Sequence, residues 1–189
     1  MSKQYPENWD LDSLYPRPET EQFSALLKGV EADLKQLAED SEALPAFDVA
    51  PDTWSAFLTR MAAVQSRYED LCAFVGCHAA DDAGNKTFQR IEGTLSSFDP
   101  LWQQALTSVE FGLKELDAQR LETIVEQDSD LKSILFYLQE RQRAAGLRLP
   151  KGQELLAADL AVDGLQAWSR LYDRLSGGLH HPDGAGRTG

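Results

Sequence analysis

Apolar residues recur at intervals of three and four along most of this chain, and no segment shows the strict alternation of a half-buried strand. The pattern predicts an all-α fold of antiparallel helices. Thr20, followed by Glu21 and Gln22, is placed to start a helix whose stripe is Phe23, Leu26, Leu27, Val30, Leu34 and Leu37, ending in Glu39-Asp40-Ser41-Glu42. After a loop with Pro45 and Pro51, Asp52 or Thr53 caps a second helix that turns Trp54, Phe57, Leu58, Met61, Val64, Tyr68, Leu71 and Val75 inward. Gly76, Asp81-Asp82 and Gly84-Asn85 mark the reversal. From Asn85 the positions Phe88, Ile91, Leu95, Phe98, Trp102, Ala105, Val109, Leu113 and Leu116 keep a near-heptad rhythm, the mark of a long helix paired with another. Pro100 should kink or briefly break it, because proline lacks a backbone donor and clashes with the preceding turn. Asp117 then caps a short helix with Leu121, Ile124 and Val125.

The stretch from Asp128 to Leu175 reads as helix, tight break, helix, and the rest of the chain is material for it to pack against. Leu131, Ile134, Leu135 and Leu138 share one face of a helix opened by Asp128 or Asp130 and ending near Gly146. Leu149-Pro150 disfavours further helix, so the chain turns and restarts at about Lys151. Leu165, Trp168, Leu171, Tyr172 and Leu175 form the last stripe, with Arg170, Asp173 and Arg174 opposite, and Gly164 marks a bend or break between two helical pieces. Trp54, Trp102 and Trp168 all follow stripes of this kind, so they read as packing residues.

The two ends differ from the middle. Residues 1–18 carry Pro6, Pro16 and Pro18 and read as an extended arm docking through Trp9, Leu11, Leu14 and Tyr15. Residues 19–175 form the helical domain. Residues 176–189 hold five glycines and little to bury, so a disordered tail is expected there.

Charge narrows the partners. The chain has 31 acidic residues against 18 basic ones, a formal net charge of -13, and no basic patch, which argues against a nucleic-acid partner that would need lysine and arginine to displace counterions. The first 50 residues hold 11 acids and 4 bases, read as a solvated acidic face. With 42% hydrophobic residues, no basic-plus-apolar leader after Met1 and no run long enough for a membrane span, a cytoplasmic protein is expected.

Candidate chemistry is sparse. Cys72 and Cys77 lie five apart on a helix, point different ways, and read as reduced thiols. With His78 they would offer three soft ligands, but the spacing lacks a fourth partner. Asp81 and Asp82 read as a cap for the next helix and a solvated turn. His180-His181 sits in the tail. No catalytic, cofactor-binding or metal-ligating residue is assigned.

Two motifs carry a resemblance. An aromatic-rich helix, a break, Glu154-Leu155-Leu156, a glycine and Ala167-Trp168-Ser169-Arg170-Leu171-Tyr172 resemble the N-terminal region of oligoendopeptidase F-type zinc metallopeptidases of the M3 family, as does the opening Trp9-Asp10-Leu11-Asp12-Ser13-Leu14-Tyr15. The resemblance spans roughly Tyr5 to Leu175. It implies a helical lobe walling the channel for short peptides, beside a zinc domain whose HExxH helix puts two histidines on one face with a glutamate as general base. The three histidines here, His78, His180 and His181, form no HExxH, so no catalytic role carries over and zinc is implied only for full-length relatives. Where the resemblance implies further helices after Ser176, this sequence turns glycine-rich, the expectation for a truncated or frameshifted lobe that is inactive alone. The alternative is a stand-alone helical interaction module, with self-association through apolar surface that a missing neighbour leaves uncovered.

Overall fold

The computed structural model describes residues 10–114 and 116–178. Its elements are α1 (Glu21–Glu42), α2 (Pro51–Asp81), α3 (Lys86–Ser96), α4 (Asp99–Lys114), α5 (Ala118–Val125), α6 (Ser129–Ser133), α7 (Leu135–Leu147), α8 (Lys151–Ala161), a π-helical turn (Val162–Gln166) and α9 (Ala167–Gly177). Among the described residues there is no strand. The all-α antiparallel fold is therefore as the periodicity predicts.

The first two helices form a long pair. Thr20 caps α1 by accepting the Phe23 N–H at 3.2 Å, and Phe23, Val30, Leu34 and Leu37 are buried along its inner face. At the start of α2 the expected cap is replaced: neither Asp52 nor Thr53 caps the helix, Pro51 occupies its first position, and Ala50 precedes it without a side-chain bond. A proline loses nothing there, because the first N–H groups of a helix have no partner within it. Gly76 lies inside α2 and takes no part in the reversal, which is made by Asp82–Asn85.

The heptad-like run from Asn85 is two helices with different partners. Ser97 and Phe98 separate them, and Pro100 falls in the first turn of α4, where its missing donor costs little. α3 lies on α2, whereas α4 packs against α1, α7 and α8. Trp102, Ala105, Leu106, Thr107, Ser108, Val109, Glu110 and Leu113 of α4 are all buried, so this helix is enclosed on most of its circumference. Gly112 leaves room on α4 for the ring of Trp54 from the start of α2: a Cβ there would fall 2.5 and 2.8 Å from Cη2 and Cζ2 of Trp54. The Trp54 ring has no room to retreat, being buried and fixed by its Nε1–H, which donates to the Pro45 carbonyl at 2.9 Å.

The helix expected to open at Asp128 begins there but divides at Ile134. Asp128 accepts the N–H groups of Asp130 and Leu131 at 2.8 and 3.0 Å. The Ser133 hydroxyl then donates to the Asp130 carbonyl at 2.7 Å, the acceptor a continuous helix would offer the Ile134 N–H, and that N–H goes to Leu131 instead. α7 restarts at Leu135 and ends at Leu147, beside the expected stop. After the Arg148–Pro150 elbow, α8, the π-helical turn and α9 keep right-handed helical backbone at each junction, so they form one rod. Gly164 thus sits in a π-helical turn where a bend was expected.

At the N-terminal side, Leu11 and Tyr15 pack against the core, with the Tyr15 ring edge-on to Phe74 at 5.4 Å, but Leu14 is exposed. Trp9 lies outside the described residues, as does the tail from Leu179 on. Ser176 and Gly177, placed in the tail by sequence, belong to α9.

Two glycines test this packing in opposite directions. Gly112→Ala should cost about 1–3 kcal/mol in urea unfolding, the usual penalty for overfilling a tight contact. Gly29→Ala, in α1 with open space around the new methyl, should gain about 0.5–1 kcal/mol. The Asp128 cap adds a pH signature, since the Leu131 N–H it accepts holds its carboxyl below the usual carboxylate range. A depressed folded pKa gives stability present above the unfolded value of about 3.9 and lost as pH falls through the folded one. Asp128→Ala should therefore cost about 1 kcal/mol at neutral pH, with the gap to wild type closing on acidification below that value.

Candidate functional site

The described residues concentrate their buried polar chemistry where α4, α7 and the elbow meet. Glu110 is the single charged residue between Leu101 and Leu113, and its side chain is fully buried. Two arginines from the facing segment supply its counter-charge: Arg141 of α7 reaches Oε1 at 3.3 Å and Arg148 of the elbow donates from Nε to Oε2. Arg148 continues to Glu154 of α8 through Nη1 at 2.8 Å, and Glu154 also accepts the Leu149 N–H at 2.8 Å. Burial works against the Arg148 charge, and the bonds to Glu110 and then Glu154 more than restore it, leaving its pKa above the ordinary value. Nearby, Gln142 of α7 donates to the carbonyls of Leu113 and Leu116 at 3.0 and 2.7 Å, occupying acceptors at the end of α4. The elbow angle is therefore set by hydrogen bonds and charge.

The rod beyond the elbow is seated in the same manner. Neither α8, the π-helical turn nor α9 contains a buried residue. Leu155 and Val162 are half-buried, and polar and small groups complete the inner side: Gln166 donates to Asp99 at 2.7 Å, Arg170, Asp173 and Arg174 face Glu92 of α3, and Gly177 approaches Ala83 closely. Burial raises the carboxyl pKa of both Glu92 and Asp99. A cleft of about 310 Å³ lies beneath the rod, walled on the α2 side by Gly76, Ala79, Ala80 and Ala83. The apolar stripe points the other way. Leu165, Trp168 and Tyr172 are 74, 70 and 72% exposed, so Trp168 is no packing residue, unlike the buried Trp54 and Trp102.

The other sequence candidates do not assemble into a centre. Cys72 is half-buried, and burial pushes its thiol up to about 11, which keeps it protonated at neutral pH. Cys77 is exposed. His78 stands between the rings of Phe74 and Phe88 at 4.7 and 5.3 Å, with Nε2 at 3.9 Å from Asp12 and no hydrogen-bond partner among the described residues. Asp81 and Asp82 do not cap α3; Asn85 does, accepting the N–H groups of Thr87 and Phe88 at 3.0 and 3.3 Å, while Asp82 accepts from the Asn85 amide. An amide is equally good as a cap and stands one residue before the helix, where geometry demands it. His180 and His181 lie outside the described residues. No group of three or more histidine, cysteine, aspartate or glutamate side chains is arranged for a metal among the described residues, so this donor set does not fit a catalytic zinc. No helix among them is long and apolar enough to cross a membrane.

Sequence reasoning missed Glu110, Arg141 and Arg148. The available signal was the isolation of one carboxylate in a long uncharged stretch, since such a group is either exposed or answered by a buried cation.

Comparison with known proteins bears on this half of the chain. Residues 113–180 match the family model described as Oligopeptidase F, Peptidase_M3_N. This segment, from the end of α4 through the elbow and the rod, is similar to the oligoendopeptidase F N-terminal region. It includes the Ala167–Tyr172 motif, and the Trp9–Tyr15 motif lies outside it. No curated protein and no solved structure matches the chain.

Removing the central carboxylate should expose what it holds. Glu110→Ala leaves Arg141 without its counter-charge and Arg148 with Glu154 alone, and because both arginines keep some solvent access the expected loss is about 2–4 kcal/mol in urea unfolding. Tryptic cleavage after Arg148 should accelerate as the elbow loosens.

Proposed function

We propose that the chain acts as the N-terminal helical lobe of an oligoendopeptidase F-like zinc metallopeptidase. In this role it walls one side of the channel that admits short peptides, and the zinc with its ligands belongs to a separate catalytic domain. The match over residues 113–180 carries the reading, because those residues build the elbow and rod, the most distinctive part of the fold. The described residues provide a braced helical scaffold, which is what such a lobe requires. Zinc would polarise the scissile carbonyl and activate water when bound in that domain. What these residues contribute is shape. The Glu110 junction holds the elbow stiff, and a wall that excludes long substrates must resist bending. The proposed setting is the cytoplasm, with short peptides as the molecules the lobe meets.

A stand-alone helical interaction module is the second reading, favoured by the exposed apolar face of the rod.

A chimera separates the two. Residues 10–178 should replace the N-terminal region of an active oligopeptidase F and leave an enzyme that cleaves short peptides and spares folded or long ones. A chimera that folds and holds zinc but cleaves nothing, or no longer discriminates by length, would refute the lobe reading. The unfused chain should show no zinc-dependent peptide hydrolysis.

A further inference from the structure

We propose that the outer face of the α8–α9 rod is a self-association surface on which two copies of this chain pair antiparallel. This does not rest on the peptidase reading, since it concerns the 189-residue chain by itself.

The face is built by the π-helical turn. Leu156, Leu160, Leu165, Trp168, Tyr172 and Leu175 are separated by four, five, three, four and three residues. In a plain α-helix the step of five would set Leu165 about 140° round from Leu160 and about 180° from Leu156. The turn Val162–Gln166 is wound wider, absorbs one extra residue, and returns the second half to the same line. The apolar side chains thus form one continuous seam along the rod. After the turn its spacing is that of the a and d positions of a coiled coil.

The size of the seam indicates a protein partner. All six side chains are more than half exposed. With aromatic side chains burying ~150–250 Å² and leucines somewhat less, they offer roughly 700 Å² of apolar surface. That exceeds the ~300–600 Å² of the largest patch on a typical monomer and approaches the ~800 Å² that each partner contributes to a standard interface.

A second copy fits this surface. A two-fold axis near Leu165 sets the aliphatic half, Leu156 and Leu160, against the half carrying Trp168, Tyr172 and Leu175. It also opposes the two helix dipoles. The six seam positions themselves carry no charge. Arg170, Asp173 and Arg174 lie on the rod's inner side towards Glu92, while Asp159 and Asp163 are exposed beside the aliphatic half of the seam.

Sedimentation velocity on the full chain, at concentrations from about 1 to 100 µM, should show a species of twice 21.0 kDa. Trp168→Asp should weaken that association about a hundredfold while leaving the circular dichroism and urea midpoint unchanged, because the side chain is exposed in the single chain. In a Cys77→Ser background, Leu156→Cys and Leu175→Cys proteins mixed under mild oxidation should form the mixed disulfide in preference to either symmetric one. A monomer throughout the concentration range overturns the proposal, whether or not a chimeric peptidase is active. So does a dimer indifferent to Trp168→Asp. Preferential 156–156 crosslinking overturns the antiparallel pairing.

Discussion

The placement of α7, the elbow and α8 on α4 depends on one carboxylate. α4 is enclosed by α1, α7 and α8, so a charge on its inner side must be answered from the surrounding helices. Glu110 is that charge, and its answer comes from Arg141 on α7 and Arg148 at the elbow. A buried ion pair seldom stabilises a fold beyond what an apolar substitute of the same shape would provide. It does penalise every arrangement that leaves one member alone. Sliding α7 by a turn, or opening the elbow, strands a buried carboxylate, so the junction selects one geometry over its neighbours. Glu154 extends the selection into α8 by holding both Arg148 and the Leu149 N–H.

The rod that leaves this junction reverses the usual amphipathic arrangement. Its largest apolar side chains face water, and none of its residues is fully buried, with Leu155 and Val162 only half-buried on the inner side. Seating that leans on hydrogen bonds and charge is weak, because each such contact replaces one that water would make. The core proper comes from α1 through α7. Rod and core are therefore stabilised differently, and the rod is where a partner has most to contribute.

Much of this was legible in the sequence, because caps and periodicity are local. Thr20, Asp117 and Asp128 each cap the helix they were expected to cap, and Leu149-Pro150 forces the elbow. The direction of a stripe is not local. Spacings of three and four show that Leu165, Trp168, Leu171 and Tyr172 share a face, but whether that face meets the core depends on what the rest of the chain has already covered. The π-helical turn was hidden for a related reason: a step of five beside Gly164 reads equally well as a bend. At Ile134 a single hydroxyl bond from Ser133 divides a helix that apolar periodicity carries straight through. Glu110 was visible as an anomaly in an uncharged run, though its two arginines, more than thirty residues on, could be found only by folding.

The lobe reading and the self-association reading concern the same surface without excluding each other, and effective concentration explains why. Apolar area alone does not fix affinity, because association costs roughly 4–15 kcal/mol in lost translational and rotational freedom before any contact counts. A second copy meets that cost at whatever concentration the protein reaches. A domain joined to the lobe by a short linker acts at an effective concentration of order mM. On the lobe reading, a tethered neighbour with comparable contacts would therefore displace the second copy, and the seam would become an internal joint. The inner contacts of the rod would stay in place whichever apolar partner covered the outer face.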